Sequence, residues 1–134
     1  MTVDKVFSPI DIAISGMQAH GKSMEVISSN VANARTTDTG QGQPYRRLDL
    51  ILKSADNGIS EVLVDDINED MSDFEQIYDP GNPLADETGY LSLPNVDLPI
   101  EMMNLTIATR AYQANAAILK RYQRMVETTL ELLR

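Results

Sequence analysis

The 134-residue sequence predicts an α+β fold that is mainly α: long N- and C-terminal heptad helices packed as an antiparallel coiled coil, with a small β-rich middle insert. Apolar residues recur every seven positions near both ends, which indicates helices with an apolar seam. Turn-forming residues and short apolar runs occupy the middle, which is typical of strands. Aromatic residues make up only 5% of the chain, and there is no Trp. This composition favours an aliphatic helical core over a β-sandwich.

The first helix is predicted over residues 9–34. Ser8 suits the N-cap, Pro9 suits the first helical position, and Asp11 completes a pattern similar to a capping box. At 1.5 Å per residue this helix spans about 39 Å. Its seam consists of one row with a strict spacing of seven and a companion row three residues later: Ile10, Met17, Met24 and Val31, then Ala13, His20, Ile27 and Ala34.

A first hairpin is predicted after this helix. The turn signal Asp56-Asn57-Gly58 joins a strand over residues 45–53 to a return strand over 59–67. The whole middle segment has only about 50 residues, which is too few for a large independent core.

Two shorter strands are predicted over residues 74–78 and 90–93. Asp79-Pro80-Gly81 has Pro and Gly in the order of a type II turn, and Glu87-Thr88-Gly89 predicts a further turn before the last strand.

The last helix is predicted over residues 100–134, with Pro99 in its first turn and Glu101 near the positive end of the helix dipole. Neither Gly nor Pro interrupts it, and it spans roughly 50 Å. Its apolar rows are Leu105, Tyr112, Leu119, Val126 and Leu133, flanked by Ala111, Ile118, Met125 and Leu132.

Two such helices cannot both bury their apolar rows against so small a middle segment. The last apolar residues of the second helix would extend beyond any partner within the chain: Val126, Leu130, Leu132 and Leu133. Unburied rows on this scale indicate self-association or co-assembly. A monomeric helical hairpin with a β insert is the alternative. We therefore expect a coiled-coil assembly domain formed by residues 1–38 and 96–134, and a small acidic β-rich domain over residues 39–95.

The net charge of −9 is concentrated in the middle of the chain. Residues 54–109 contain 13 acidic side chains and no Lys or Arg, which argues against nucleic acid as a partner. The ordinary interpretation of such a stretch is a solvated face. There is neither a run of apolar residues long enough for a membrane span nor a recognisable signal peptide, and we expect neither.

We expect no catalytic, cofactor or metal site. Cysteine is absent and His20 is the single histidine, which excludes thiolate chemistry and disfavours a His-based site. Asp66, Asn68 and Asp70 have the spacing that begins a calcium loop, but Met71 and Ile77 stand where such a loop needs Gly and Glu. His20 falls on the seam, where packing is the expected role.

Several motifs resemble the flagellar rod and hook axial protein family. The segment from Asn30 to Thr36 matches the signature Asn-x-Ala-Asn-x-x-Thr that ends the first helix in that family. The segment Thr109–Asn115 is similar to its C-terminal helix. Further stretches match one branch of the family in order and spacing: Pro44–Arg47, Tyr78–Pro83, Ala85–Tyr90 and Pro94–Val96.

The resemblance implies a structural subunit of the bacterial flagellar basal-body rod, the drive shaft that crosses the periplasm. It implies export through the flagellar type III apparatus without a cleaved signal peptide. The implied partners are further copies of the chain, other proximal and distal rod subunits, and rod-base or export-gate components. The alternative interpretation is a soluble acidic coiled-coil adaptor or secretion chaperone.

The candidate assembly interface combines the apolar rows with three asparagines, whose amides we expect to fix register through backbone or cross-helix hydrogen bonds. The candidate residues are Ile10, Met17, Met24, Ile27, Val31, Asn30, Asn33, Leu105, Tyr112, Asn115, Ile118, Leu119, Met125, Val126 and Leu133.

Overall fold

The computed structural model describes residues 4–54 and 61–133. Two long helices stand at the two ends of the chain and two small antiparallel sheets lie between them in sequence, so the fold is α+β and mainly α, as the sequence predicts. The elements follow in the order α1 (Asp4–Ala32), β1 (Leu48–Ser54), β2 (Val62–Glu69), β3 (Gln76–Tyr78), β4 (Tyr90–Ser92) and α2 (Leu98–Leu132).

Helix α1 begins earlier than predicted. It passes through Ser8 and Pro9 to Asp4, so the predicted N-cap at Ser8 is wrong and Pro9 lies inside the helix. Proline has a φ that suits a helix, but beyond the first turn it removes one i→i−4 hydrogen bond and its ring crowds the carbonyl four residues earlier. A proline close to a helix start therefore does not by itself mark the first residue.

Helix α2 also begins two residues before its predicted start. Asp97 is the N-cap, and its carboxylate accepts a hydrogen bond from the Ile100 N–H at 3.1 Å. Pro99 lies in the first turn, where its missing N–H removes no intrahelical bond. The helix then runs for 35 residues, about 52 Å at 1.5 Å per residue.

The middle segment forms the four predicted strands with shifted ends: β1 and β2 pair as predicted, and β3 and β4 pair with each other, which was not predicted. Strands β1 and β2 pair from Leu48 opposite Glu69 to Ser54 opposite Val62, with a register shift between Ile51 and Leu52. The predicted turn at residues 56–58 and the first two residues of the predicted return strand lie outside the described residues. Strands β3 and β4 pair from Gln76 opposite Ser92 to Tyr78 opposite Tyr90.

The turn after β3 forms where predicted but is not of type II. The Asn82 N–H donates to the Asp79 carbonyl at 3.1 Å, which closes the turn. Gly81 does not have the positive φ that a type II turn requires at this position. Asp at the first position and Pro at the second also suit a type I turn, so the dipeptide order alone could not decide between them.

The core is small and lies along α1. The buried hydrophobic residues of the described chain are Ala13, Ala19, Val26, Ile27, Leu91 and Ala108. Small side chains on α1 let α2 approach closely: a Cβ added at Gly16 would lie 2.6 Å from the Asn115 Nδ2. Most large apolar side chains of α2 remain at least partly exposed.

The two helices run in opposite directions where they touch. Gly16 faces Asn115, Gly21 faces the Tyr112 ring, and the Thr109 hydroxyl donates to the Met24 sulfur at 3.5 Å. Contacts thus move toward the start of α2 as they move toward the end of α1. In the described ranges, neither helix is long and apolar enough to cross a membrane.

Candidate assembly surface

A buried polar cluster fastens the end of α1 to the start of α2. The Glu101 side chain is only 1% exposed, and Asn30 is completely buried. One Glu101 oxygen accepts a hydrogen bond from the Arg47 Nε at 2.7 Å, and the other accepts one from the Asn30 Nδ2 at 3.2 Å. A buried carboxylate with two such donors favours this one arrangement of the three segments.

Arg47 is the cationic member of this cluster. Its guanidinium also lies 3.6 Å from the carboxylates of Asp49 and Asp70. Burial by itself lowers the pKa of Arg47, but the hydrogen bond and charge of Glu101, with the charges of Asp49 and Asp70, outweigh burial and raise it. Arg47 is therefore held in its charged form.

Both polar atoms of the Asn30 side-chain amide form hydrogen bonds. The Oδ1 accepts hydrogen bonds from the Leu48 N–H at 2.9 Å and the Tyr45 hydroxyl at 3.0 Å. The Nδ2 donates to the Leu48 carbonyl at 2.9 Å as well as to Glu101. Asn30 thereby pairs with the first residue of β1 as a neighbouring strand would, and it joins α1, β1 and α2 at one point.

Asn95 extends the cluster into the middle segment. Its Oδ1 accepts a hydrogen bond from the Arg47 N–H at 2.8 Å, and its Nδ2 donates to the Asp70 carbonyl at 2.9 Å and the Ser72 hydroxyl at 2.8 Å. Hydrogen bonds from the Ser72 backbone and side chain lower the pKa of Asp70, and the Arg47 charge lowers it further. The carboxylate of Asp70 thus stays ionised beside Arg47.

The candidate interface residues fall into three groups by exposure. Only Ile27 and Asn30 are buried. The half-buried residues are Ile10, Met17, Met24, Val31, Asn33, Leu105, Tyr112, Asn115 and Leu119. The exposed residues are Ile118, Met125, Val126 and Leu133.

Among the described residues, neither of the two remaining asparagines makes a side-chain hydrogen bond between α1 and α2. The Asn33 amide donates to the Ser29 carbonyl at 2.9 Å and accepts a hydrogen bond from the Thr36 hydroxyl at 3.3 Å, so it shapes the end of α1. Asn115 makes no side-chain hydrogen bond with the part of the chain that the structure describes. Its contact with Gly16 is steric.

An apolar groove follows the line where α1 and α2 meet. It has a volume of about 380 Å³ and is lined by Ile14, Met17, Gln18, Gly21, Tyr112 and Leu119. Met17, Tyr112 and Leu119 are three of the candidate interface residues, so the fold brings part of the predicted seam together. The groove remains open to solvent.

The C-terminal half of α2 presents a long uncovered apolar face. Met125 is 56% exposed, Leu130 is 62% exposed and Leu133 is 81% exposed. Ile118 and Val126 are also exposed. Nothing in the described chain covers this face, although apolar patches of such length are rare on monomers.

The cluster residues Glu101, Arg47 and Asn95 were not among the candidates from sequence. Glu101 was assigned only to the helix dipole, because contacts between residues so far apart leave no periodic signal. The one available hint was the position of Arg47 and Asn95 within the motifs Pro44–Arg47 and Pro94–Val96.

Comparison with known proteins identifies the class. The family model described as "Flagella basal body rod protein" matches residues 10–38, and the model described as "Flagellar basal body rod FlgEFG protein C-terminal" matches residues 87–132. Both matches fall mainly on the terminal helices, in the order that the fold shows. The chain is therefore a flagellar basal-body rod protein.

The full-length relatives narrow this class. A flagellar basal-body rod protein FlgC of Agrobacterium fabrum is 36% identical, with 98% of both chains covered. The FlgC of Escherichia coli O157:H7 is 40% identical over 91% of this chain and 93% of the relative, and that of Bacillus subtilis is 34% identical over 94% and 97%. The chain belongs to the FlgC family. It is a structural rod subunit and not an enzyme.

Proposed function

We propose that this rod subunit assembles through its terminal helices. Residues 1–38 and 96–134 form the assembly domain, in which α1 and α2 pack as an antiparallel coiled coil, and residues 39–95 form a small acidic domain beside it. The observation that carries this proposal is the uncovered apolar face of α2 from Ile118 to Leu133. Contact with neighbouring subunits removes this apolar surface from water.

The heptad rows supply the contacts within and between subunits. The half-buried residues of both helices lie where a neighbouring helix can complete their burial. Asn30 and Asn33 set the register and the end of α1, because polar groups on a seam favour one alignment over others. The fifteen candidate residues thus divide between a core that is already formed and a surface that assembly completes.

The partners that fit this role are further copies of the chain and other rod proteins, including proximal and distal rod subunits and rod-base or export-gate components. The subunit reaches the rod through the flagellar type III export apparatus without a cleaved signal peptide and takes its place where the rod crosses the periplasm. The similarity to flagellar basal-body rod proteins over nearly the whole chain supports the rod assignment. An adaptor or chaperone is disfavoured, since relatives over nearly the whole length are rod proteins.

The test places a charge on the uncovered face. Met125→Asp adds a carboxylate to a side chain that is 56% exposed, so the purified subunit stays soluble with an unchanged circular dichroism spectrum. In the assembled rod the same carboxylate must enter an apolar contact, which costs several kcal/mol. We expect export without incorporation into isolated basal bodies, and non-motile cells.

The matched control is Gln123→Asp, which adds the same charge to an exposed polar position about half a helical turn away. This variant is expected to enter basal bodies normally. Motile cells that carry Met125→Asp would show that the uncovered face is not an assembly surface.

A further inference from the structure

Three exposed apolar side chains form a patch in the acidic middle segment, here named the tyrosine patch: Tyr78, Leu84 and Tyr90. The two rings contact edge to face, with centroids 5.3 Å apart and an interplanar angle of 62°. Leu84 and Tyr90 line the same cleft. Their exposed fractions are 66%, 49% and 43% for Tyr78, Leu84 and Tyr90. Clustered tyrosines of this kind are typical anchors of protein interfaces.

The tyrosine patch has an acidic rim. Asp79, Asp86 and Glu87 are exposed in the same loop, and residues 54–109 contain no Lys or Arg. Arg46 lines the same cleft as Leu84 and Tyr90, but its guanidinium is already engaged. It lies 4.2 Å from the centre of the Phe74 ring and donates to the Asp70 and Ser72 carbonyls. The partner of this patch therefore has to present apolar side chains among positive charges.

The loop that carries the patch is held in shape before any partner arrives. The Asp86 carboxylate accepts hydrogen bonds from the Thr88 hydroxyl at 2.7 Å, the Thr88 N–H at 2.8 Å and the Tyr90 N–H at 2.9 Å. Gly89 has a φ of +84°, and a Cβ there would lie 3.0 Å from the Tyr78 ring. A preorganised loop loses little conformational entropy on binding.

The chain carries a surface with the required chemistry, here named the basic helix face: Ile118, Arg121, Arg124 and Met125. All four side chains are exposed on α2. Ile118, Arg121 and Met125 follow the i, i+3, i+7 spacing of one helix face, and Arg124 lies beside Arg121. Within the described ranges, neither arginine takes part in an ion pair.

We infer that the tyrosine patch of one subunit docks on the basic helix face of a second copy of this chain. The two surfaces lie far apart within one molecule, because strand β4, which carries Tyr90, ends five residues before α2 begins, whereas Arg121 lies about 35 Å along α2 from Leu98. Contact between different surfaces of two copies is heterologous, so each copy can contact one neighbour through its patch and another through its helix face. This inference rests on the proposed function and deepens it by naming the surface that the α2 face contacts.

The absence of cysteine from the sequence allows a clean cross-linking test. Glu87→Cys lies on the patch rim, and Thr128→Cys lies one turn beyond Arg124 on the same side of α2. Mild oxidation of isolated basal bodies from cells carrying both substitutions is expected to yield covalent dimers and higher multimers of the chain, and either substitution alone yields none. Asp66→Cys with Thr128→Cys, which moves the first thiol to strand β2, is the matched control and yields none.

Charge reversal tests the electrostatic part of the contact. Arg124→Glu added to the cross-linking pair lowers the yield about tenfold, and Asp79→Lys added to that variant restores it. A chain that is present in basal bodies but gives no cross-link overturns this docking while the proposed function stands. A cross-link to a different rod protein, identified by mass spectrometry, overturns the choice of a second copy. If the chain that carries only the two cysteines is absent from basal bodies, the proposed function itself is overturned.

Discussion

Glu101 is a charged side chain buried to 1% exposure, and its position explains how a chain with so small a core keeps one arrangement of its helices. Its two oxygens hold Arg47 and Asn30, which belong to the segment before β1 and to α1. Because each donor comes from a different part of the chain, sliding one helix along the other by one residue breaks the cluster. Apolar contacts alone penalise such a shift less.

Glu101→Gln tests this assignment. The substitution keeps the shape but removes the charge that Arg47 needs, and breaking a buried ion pair costs about 3 kcal/mol. We expect the free energy of unfolding in urea to fall by roughly that amount, with tyrosine fluorescence or near-ultraviolet circular dichroism as the signal, since Tyr45 lies in the cluster. The control is Glu131→Gln, at an exposed position on the same helix, which is expected to change the free energy of unfolding by less than about 0.5 kcal/mol. Equal stability of both variants would contradict the structural role of Glu101.

Asp86 gives a prediction for pH. Hydrogen bonds from the Thr88 hydroxyl, then from the Tyr90 and Thr88 backbone, lower the pKa of Asp86. A lowered pKa in the folded loop means that this stabilisation is present above the ordinary aspartate pKa of about 3.9 and is lost as the pH falls through the lower folded value. We expect Thr88→Ala to raise the pKa of Asp86, as measured by NMR titration of the carboxyl carbon. Ser92→Ala, which leaves those bonds intact, is the control.

At the scale of the element, the two halves of α2 differ in support. The first half has the Asp97 cap, the Glu101 cluster and the contacts of Thr109 and Tyr112 with α1. The second half has an exposed apolar face. Helices without tertiary contacts are marginal in water, so under the proposed function we expect the second half to be the part that assembly stabilises.

Limited proteolysis of the purified subunit tests this difference. We expect a monomer in which trypsin cuts first at Lys120, Arg121 and Arg124, and only later at Arg46 and Arg47. Proteases cleave chains that open locally, and local opening is easiest where few contacts must break. Early cuts at Arg47 would contradict the expectation that the second half of α2 is stabilised only by contact with other subunits. A stable dimer by sedimentation with a resistant C-terminal half would contradict it as well.

For the whole molecule, the acidic charge is divided between residues that hold the fold and residues that do not. Asp65 pairs with Lys53 at 2.5 Å, and Asp70 lies beside Arg47 and accepts a hydrogen bond from the Ser72 N–H at 2.9 Å. Asp66 and Glu69 are exposed and take no part in an ion pair with the described residues. The acidic segment is thus a solvated face only in part.

Asp66→Asn combined with Glu69→Gln tests the solvated part. Each exposed substitution is expected to change the free energy of unfolding by less than about 0.5 kcal/mol, with motility unchanged. Asp70→Asn, measured by the same urea unfolding, is expected to destabilise because it removes the carboxylate beside Arg47. Loss of motility with normal export of the first variant would show that these two charges contact a partner.

The periodic parts of the fold could be predicted from sequence, and the ends of the elements could not. Heptad rows predict both helices because repeated burial at one face leaves a repeated pattern. The predicted start of α1 was wrong because the helix continues before Pro9 despite the cost of an internal proline, which the local signal cannot reveal. The turn at Pro80 was wrong in type because its residues suit two turns. Of the cluster, Asn30 was found through a family motif, whereas Glu101 looked like an ordinary residue of a first helical turn.

The sequence by itself determined that the chain has two long amphipathic helices around a short acidic β segment, and its motifs pointed to the flagellar axial family. These properties reside in local spacing, which each segment carries independently of the others. Only the tertiary structure decided which polar groups meet at Asn30, which small residues let the helices touch, and which apolar residues stay uncovered. Those outcomes depend on contacts between segments far apart in the chain: Asn30 and Glu101 are 71 positions apart, and Met24 and Thr109 are 85 positions apart. Such contacts are selected by packing and by the need to pair every buried charge, and neither leaves a period in the sequence.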